Sequence, residues 1–126
     1  MNENTIYKKS FKFAVRIVNL YKFLCNLQKE YILSKQLLRC GTSIGANVNE
    51  AISAQSKKDF IAKMSIANKE ARETKYWIDL LIETEYLKEN ENYVKSLQNG
   101  IEEIIKILTS IIKTSQENLK KEKNVK

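Results

Sequence analysis

The sequence predicts an all-α protein, specifically an antiparallel up-down-up-down four-helix bundle. The chain has 126 residues, no proline and only 3 glycines, a composition typical of long helices in one domain. Apolar residues recur with a spacing near 3.6 almost throughout, and no alternating run is long enough to indicate a strand. Four such segments separated by short turns pack most simply as this bundle. We assign residues 1–118 to the single domain and expect the charged tail, 119–126, to fray.

The first predicted helix covers residues 5–27 and carries two apolar lines. One line consists of Tyr7, Phe11, Ala14, Val15, Val18, Tyr21 and Cys25. The line beside it consists of Ile6, Phe13, Ile17, Leu20 and Leu24. Together they are wider than one bundle core requires. We therefore expect part of this surface to contact a partner, most simply another copy of the chain.

The second predicted helix, 31–54, contains the stretch "RCGTSIGANVNEA", whose glycines raise the question of a phosphate-binding loop. Such a loop needs Gly-x-x-x-x-Gly-Lys-Ser/Thr after a buried strand, whereas Gly45 is followed by Ala46 and Asn47 within a helical pattern. We interpret the stretch as a helix. Gly41 and Gly45 then lie at the edge of its apolar face and allow a neighbouring helix to approach closely. That face consists of Leu33, Leu37, Gly41, Ile44, Val48 and Ala51.

The last two helices are predicted at 56–86 and 91–116. Ser56 is expected to cap the third helix, with Asp59 at the capping-box position. The buried stripe of this helix is expected to contain Phe60, Met64, Ala67, Ala71, Ile78 and Ile82. The apolar face of the fourth consists of Tyr93, Leu97, Ile101, Ile104, Leu108 and Ile111.

The positive charge is concentrated in one half of the chain. Residues 1–63 contain eleven Lys and Arg against four Asp and Glu, whereas residues 64–126 contain eleven of each, so the net charge of +7 belongs to the first half. The candidate nucleic-acid-binding residues lie along the first helix and its margins: Lys8, Lys9, Lys12, Arg16 and Lys22. Such a row can bind the phosphates of RNA or DNA, or it can be an ordinary solvated face.

A second group of polar residues lies on the middle helices. The candidates for an interface or polar network are Arg39, Gly41, Ser43, Gly45, Asn47, Glu50, Glu70, Glu73 and Trp77. Three of these, Glu50, Glu70 and Glu73, could form a carboxylate-only metal or acid–base cluster. We favour a polar network at a helix or subunit interface, because carboxylates with an arginine partner usually neutralise one another.

The remaining chemistry is restricted by composition. The chain has no histidine, which excludes His-dependent triads and most zinc sites, and we assign no catalytic residue, cofactor or metal site. Cys25 and Cys40 are isolated and are expected to be reduced. No run approaches about 18 apolar residues, and the N-terminus lacks the features of a signal peptide. We therefore expect a cytoplasmic protein without a membrane partner.

Three motifs, "RCGTSIGANVNEA", "SKKDF" and "IANKEARETKYWIDLL", occur in an order and spacing that resemble the bacterial ribosomal-RNA intervening-sequence (23S rRNA IVS) proteins over nearly the whole chain. The residues that match the family pattern are Arg39, Ser43, Ile44, Asn47, Val48, Glu50, Ser56, Asp59, Phe60, Lys69, Glu70, Ala71, Glu73, Thr74, Tyr76 and Trp77. Asn49 and Ala51 depart from the common alanine and glycine, so the second helix is expected to continue through them.

The resemblance implies an antiparallel four-helix bundle that forms a ring-like homo-oligomer, a pentamer. Some members of the family are encoded within insertions in large-subunit ribosomal RNA genes, and distant relatives bind nucleic acid and a reverse transcriptase. No enzymatic activity is established for the family. Two functions remain open: an oligomer that binds RNA or DNA through the basic row, and an adaptor oligomer that binds a protein partner and no nucleic acid.

Overall fold

The protein is described by a computed structural model that covers residues 3–125. Four helices occupy this range: α1 (Glu3–Asn26), α2 (Leu33–Ile52), α3 (Lys57–Glu83) and α4 (Asn92–Val125). Residues 3–125 contain no strand. The prediction of an all-α fold with four helices is therefore confirmed, and α2 does continue through Asn49 and Ala51.

Adjacent helices run antiparallel. Between α1 and α2, the thiol of Cys25 lies 3.7 Å from the hydroxyl of Ser34 beside the connecting loop, and Ser10 lies against Gly45 nearer the other end. The short connection 53–56 likewise reverses the chain between α2 and α3. Between α3 and α4, Lys57 contacts Glu122 and the later Asn68 contacts the earlier Thr109, so these helices run in opposite directions. Between α1 and α4, Lys9 contacts Glu103 and the later Arg16 contacts the earlier Tyr93, so this pair is antiparallel as well. Within the described residues no Cα atom of α1 lies within 8 Å of one in α3, nor any of α2 within 8 Å of one in α4, so these are the diagonal pairs of an up-down-up-down bundle.

The contact between α1 and α4 is the least extensive of the four. Lys9, near the beginning of α1, already pairs with Glu103 of α4. The part of α4 beyond about residue 110 therefore extends past the beginning of α1 and packs against α3, where Lys57 pairs with Glu122. The bundle is consequently tight around α2 and open along the α1–α4 side.

The core is built from aliphatic side chains of all four helices. Of the two apolar lines predicted on α1, the line of Ile6 and Ile17 is buried, whereas Phe11 and Val15 of the other are 56% and 48% exposed. The predicted faces of α2 and α3 are buried or half-buried. The prediction for α4 is wrong at one position, because Tyr93 is 41% exposed. The adjacent Val94 is fully buried in its place.

The observed ends of α4 differ from the predicted ones. The helix continues to Val125, past the predicted end at residue 116. Two features support the extra turns: Leu119 is half-buried, and Glu122 pairs with Lys57. Fraying of the tail and the domain boundary at residue 118 remain predictions.

The ends of the middle helices are capped by side chains. The hydroxyl of Ser56 accepts a hydrogen bond of 3.0 Å from the backbone N–H of Asp59, which confirms the predicted cap of α3. At α2 the buried carboxylate of Glu30 accepts hydrogen bonds from the backbone N–H groups of Ile32, Leu33 and Ser34, at 3.1, 2.9 and 2.7 Å. This second cap was not predicted from the sequence.

Candidate functional site

A polar network joins α2 to α3. The guanidinium of Arg39 pairs with Glu70 at 3.4 Å and with Glu73. The indole N–H of Trp77 donates to the same Glu73 oxygen at 3.1 Å. The structure therefore brings together four of the predicted polar residues. Because the Arg39 side chain is 53% exposed, its ion pairs contribute little to stability, and the network chiefly orients Arg39 and Trp77.

The other predicted polar residues do not join this network. Ser43 donates to the backbone carbonyl of Cys40 at 3.1 Å, and Asn47 donates to that of Ser43 at 2.9 Å, so both bind their own helix. Glu50 is exposed near the end of α2. In residues 3–125 no three His, Cys, Asp or Glu side chains come together as metal ligands.

The two cysteines are free thiols. Cys40 is fully buried between the core and the polar network. Burial raises the pKa of the Cys40 thiol above its usual value, and the nearby Glu73 carboxylate raises it further, whereas a hydrogen bond with Thr74 lowers it. Because the thiolate is the reactive form, Cys40 is a packing residue rather than a nucleophile.

The two glycines of α2 differ in how closely α1 approaches them. A β-carbon at Gly41 would lie 2.8 Å from Cγ1 and Cγ2 of Ile17, closer than side chains tolerate. A β-carbon at Gly45 would lie 3.5 Å from the backbone and hydroxyl of Ser10, an ordinary contact distance. The close approach of α1 therefore requires glycine at position 41 alone.

The basic residues of α1 fall into two groups. Lys9 and Arg16 face α4: Lys9 pairs with Glu103 at 2.5 Å, and Arg16 donates to the backbone carbonyl of Tyr93 at 3.3 Å. Lys8, Lys12 and Lys22 are exposed. None of these three pairs with a carboxylate of the residues described. The predicted row is thus partly turned toward a neighbouring helix and partly directed into solvent.

A shallow groove separates α1 from α4 at this point. Its volume is about 260 Å³, and it is lined by Lys9, Lys12, Phe13, Arg16, Gly100, Glu103 and Ile104. The three basic residues were predicted as candidates, but their meeting with Gly100, Glu103 and Ile104 of α4, more than eighty positions away, was not. The third glycine of the chain, Gly100, was the available signal, since a glycine inside a helical pattern often marks a close approach.

Among the exposed apolar side chains, two groups stand out by position. On the outer side of α1, the rings of Tyr7 and Phe11 lie 6.2 Å apart, and Val15 continues this strip one turn further along. At the end of the bundle, Leu27 and Ile32 of the α1–α2 connection are 73% and 76% exposed. The exposed surface on α1 was predicted from the sequence, because the two apolar lines of this helix are wider than one bundle core requires. The exposed side chains at the end of the bundle were not predicted.

A membrane-spanning segment is not found among the described helices.

Comparisons with a family profile and with solved structures agree with this architecture. The sequence profile of the 23S rRNA-intervening sequence protein family matches residues 2–110. A crystal structure of a protein of unknown function from the S23 ribosomal protein family of Bacteroides thetaiotaomicron VPI-5482 is 58% identical in sequence, with a TM-score of 0.85. The alignment covers 90% of this chain and 99% of that one. No curated protein matches. Neither match describes a catalysed reaction. The resemblance seen in the three motifs is confirmed, and the chain belongs to the 23S rRNA-intervening sequence protein family.

Proposed function

We propose that this chain is a non-enzymatic protein that self-associates and binds RNA or DNA through the phosphate backbone. The contact surface is the α1 basic surface, defined as Lys8, Lys9, Lys12, Arg16 and Lys22. A cytoplasmic location is part of the proposal and is supported by the two free thiols, which suit a reducing compartment.

The main support for nucleic-acid binding is positive charge on α1 that no carboxylate of the described residues neutralises. Lys8, Lys12 and Lys22 are exposed and lack carboxylate partners among the described residues, and the whole net charge of +7 arises in residues 1–63. Lysine and arginine that neutralise phosphates release condensed counterions, which supplies affinity without sequence recognition. Phe13 is buried at 3% exposure, so it is not available to stack on a base. The surface therefore favours backbone contacts over base readout.

Self-association is supported by the outer apolar strip of α1, defined as Tyr7, Phe11 and Val15. Its exposure leaves apolar area that a second copy could bury. Each added copy repeats the α1 basic surface. Once one copy holds a nucleic-acid strand, the other copies meet that strand at a high effective concentration, so several weak phosphate contacts add up to a stronger one. A pentamer, as the family resemblance implies, is the assembly that we propose.

The alternative is an adaptor oligomer that binds a protein and no nucleic acid. It is favoured by the exposed side chains around the polar network, since Arg39 and Tyr76 are both more than half exposed. Arginine and aromatic residues are enriched in protein interfaces. The two functions differ in one measurable property, namely whether the natural protein binds nucleic acid at all.

The experiment is a binding titration with fluorescent single-stranded RNA and DNA of the same sequence. The triple variant Lys8→Gln, Lys12→Gln, Arg16→Gln should abolish binding while sedimentation shows an unchanged oligomer. A matched control, Arg72→Gln, Lys88→Gln, Lys95→Gln, removes the same charge from exposed positions outside α1 and should bind almost as the natural sequence does. The logarithm of affinity should fall linearly with the logarithm of salt concentration, by about 0.7 per phosphate on a single strand. Salt-independent binding, or equal loss in both variants, would contradict the α1 basic surface.

A further inference from the structure

The groove between α1 and α4 is small and shallow. Its walls are turns of the adjacent helix pair with the least extensive contact. At about 260 Å³ it is smaller than the about 300–1,000 Å³ of sites for drug-sized ligands. It therefore suits a single group of a polymer rather than a whole small molecule.

The groove carries excess positive charge. Three of its lining residues, Lys9, Lys12 and Arg16, are cationic, and one, Glu103, is anionic. Lys9 already neutralises Glu103 at 2.5 Å, so Lys12 and Arg16 remain without a carboxylate of the described chain. They are four residues apart on α1, which places them one turn apart on the same side of the helix.

Arg16 is held in place while most of its donors stay available. Among the described residues, its side chain donates from Nη2 to the uncharged backbone carbonyl of Tyr93 at 3.3 Å. The guanidinium has several N–H donors in a rigid planar fork that matches two oxygens of a phosphate. The bond to Tyr93 thus orients the fork and leaves its other donors for a ligand.

The floor of the groove is apolar and lies beside a glycine. Phe13 and Ile104 line it, and their low polarity strengthens electrostatic attraction above them relative to open water. A β-carbon at Gly100 would lie 3.5 Å from Cδ1 of Phe13 and 3.7 Å from Nη1 of Arg16. Alanine would fit there at ordinary contact distance, whereas the branches of a larger side chain would occupy the space beside the guanidinium.

We propose that this groove seats one backbone phosphate, with Arg16 and Lys12 as its ligands. The identity of the polymer rests on the proposed function, whereas the anion site itself can be tested without it. Lys8 and Lys22, outside the groove, then bind neighbouring phosphates less specifically.

The test uses a steric change that alters no charge. Gly100→Leu fills the groove, and Asn99→Leu, at the adjacent exposed position of α4 outside the groove, serves as the matched control, with circular dichroism and thermal melting to verify that both fold. In Gly100→Leu, RNA affinity should fall about tenfold, as expected for the loss of one charge-assisted contact. The salt slope should decrease by about 0.7, corresponding to one phosphate on a single strand. Asn99→Leu should bind as the natural sequence does. If Gly100→Leu is folded and binds RNA undiminished, the groove is not the phosphate seat.

A second measurement separates this proposal from the proposed function. Inorganic phosphate is titrated into the natural protein and Gly100→Leu, with the amide signal of Gly100 and the side-chain Nε signal of Arg16 followed by NMR. Saturable shifts at both signals in the natural protein, and loss of the Arg16 shift in Gly100→Leu, support the groove even if no nucleic acid binds. Shifts confined to Lys22 or to other exposed lysines overturn it.

Discussion

The distance between Gly41 and Ile17 sets how closely α1 packs on α2: a β-carbon at position 41 would lie 2.8 Å from two carbons of the isoleucine side chain. Ile17 is fully buried and β-branched, so its side chain has few alternative rotamers with which to move away.

Gly41→Ala should therefore destabilise the fold. Overpacking of a core costs about 1–3 kcal/mol, and the gain in helix propensity on replacing glycine offsets about 1 kcal/mol of it. We expect the free energy of unfolding in urea to fall by up to about 2 kcal/mol. Gly45→Ala is the matched control and should be neutral or stabilising, because its β-carbon meets Ser10 at an ordinary 3.5 Å. Gly45→Leu should again destabilise, since its outer carbons would meet the Ser10 backbone.

Glu30 should make stability depend on pH. Burial alone would raise the pKa of this carboxyl, but the hydrogen bonds from Leu33, Ser34 and Ile32 outweigh burial and hold the pKa below its ordinary value of 4.5. A carboxyl whose pKa is lowered by folding stabilises the protein above the unfolded pKa, and the contribution is lost as pH falls through the folded pKa.

The variant Glu30→Gln isolates this contribution. At neutral pH it should lower the free energy of unfolding by about 1 kcal/mol, the usual effect of losing a helix cap. The difference from the natural sequence should shrink as pH falls below 4.5, because the natural carboxyl then becomes neutral as well. The exposed Glu89→Gln, in the α3–α4 connection, is the control. If the stability difference between Glu30→Gln and the natural sequence stays constant as the pH falls, the charge of the cap is unimportant.

Glu103→Gln should strengthen binding of RNA. The change removes the one carboxylate lining the α1–α4 groove and releases Lys9. Since the pair is largely exposed, its loss should cost at most about 1 kcal/mol of stability. Affinity at low salt should rise about two- to threefold, since one repulsive charge is removed in a solvent-exposed setting. The control is Glu102→Gln on the same helix, whose carboxylate acts on Lys75 of α3. An equal rise in both variants would indicate a general charge effect rather than the groove.

Local sequence patterns predicted much of the fold but little of the groove. The apolar spacing along α2 and the Ser56 cap depend on residues within a few positions of each other, and both predictions are confirmed. The capping role of Glu30 was not predicted, because the residue at the N-cap position of α2 is Ile32, which has no side chain that can cap a helix. The cap is instead supplied by Glu30, two residues earlier. Lys9 and Arg16 were grouped with a solvated strip, because their partner helix is distant in the sequence. Helical periodicity predicts which residues share a face of one helix, but it does not predict which other helix packs against that face.

Removing the outer apolar strip of α1 should dissociate the proposed oligomer. Phe11 and Val15 are about half exposed in the single chain, and burying a large apolar side chain contributes about 2 kcal/mol. The double variant Phe11→Ser, Val15→Ser should therefore weaken each subunit contact by well over tenfold, and sedimentation at micromolar concentration should detect the single chain. Leu27→Ser, Ile32→Ser removes even more exposed side chains from the bundle end and should keep the mass of the natural assembly. If instead Leu27→Ser, Ile32→Ser yields the single chain and Phe11→Ser, Val15→Ser keeps the mass of the assembly, the subunits associate through the bundle end. The α1 basic surfaces of the copies would then be arranged differently relative to one another.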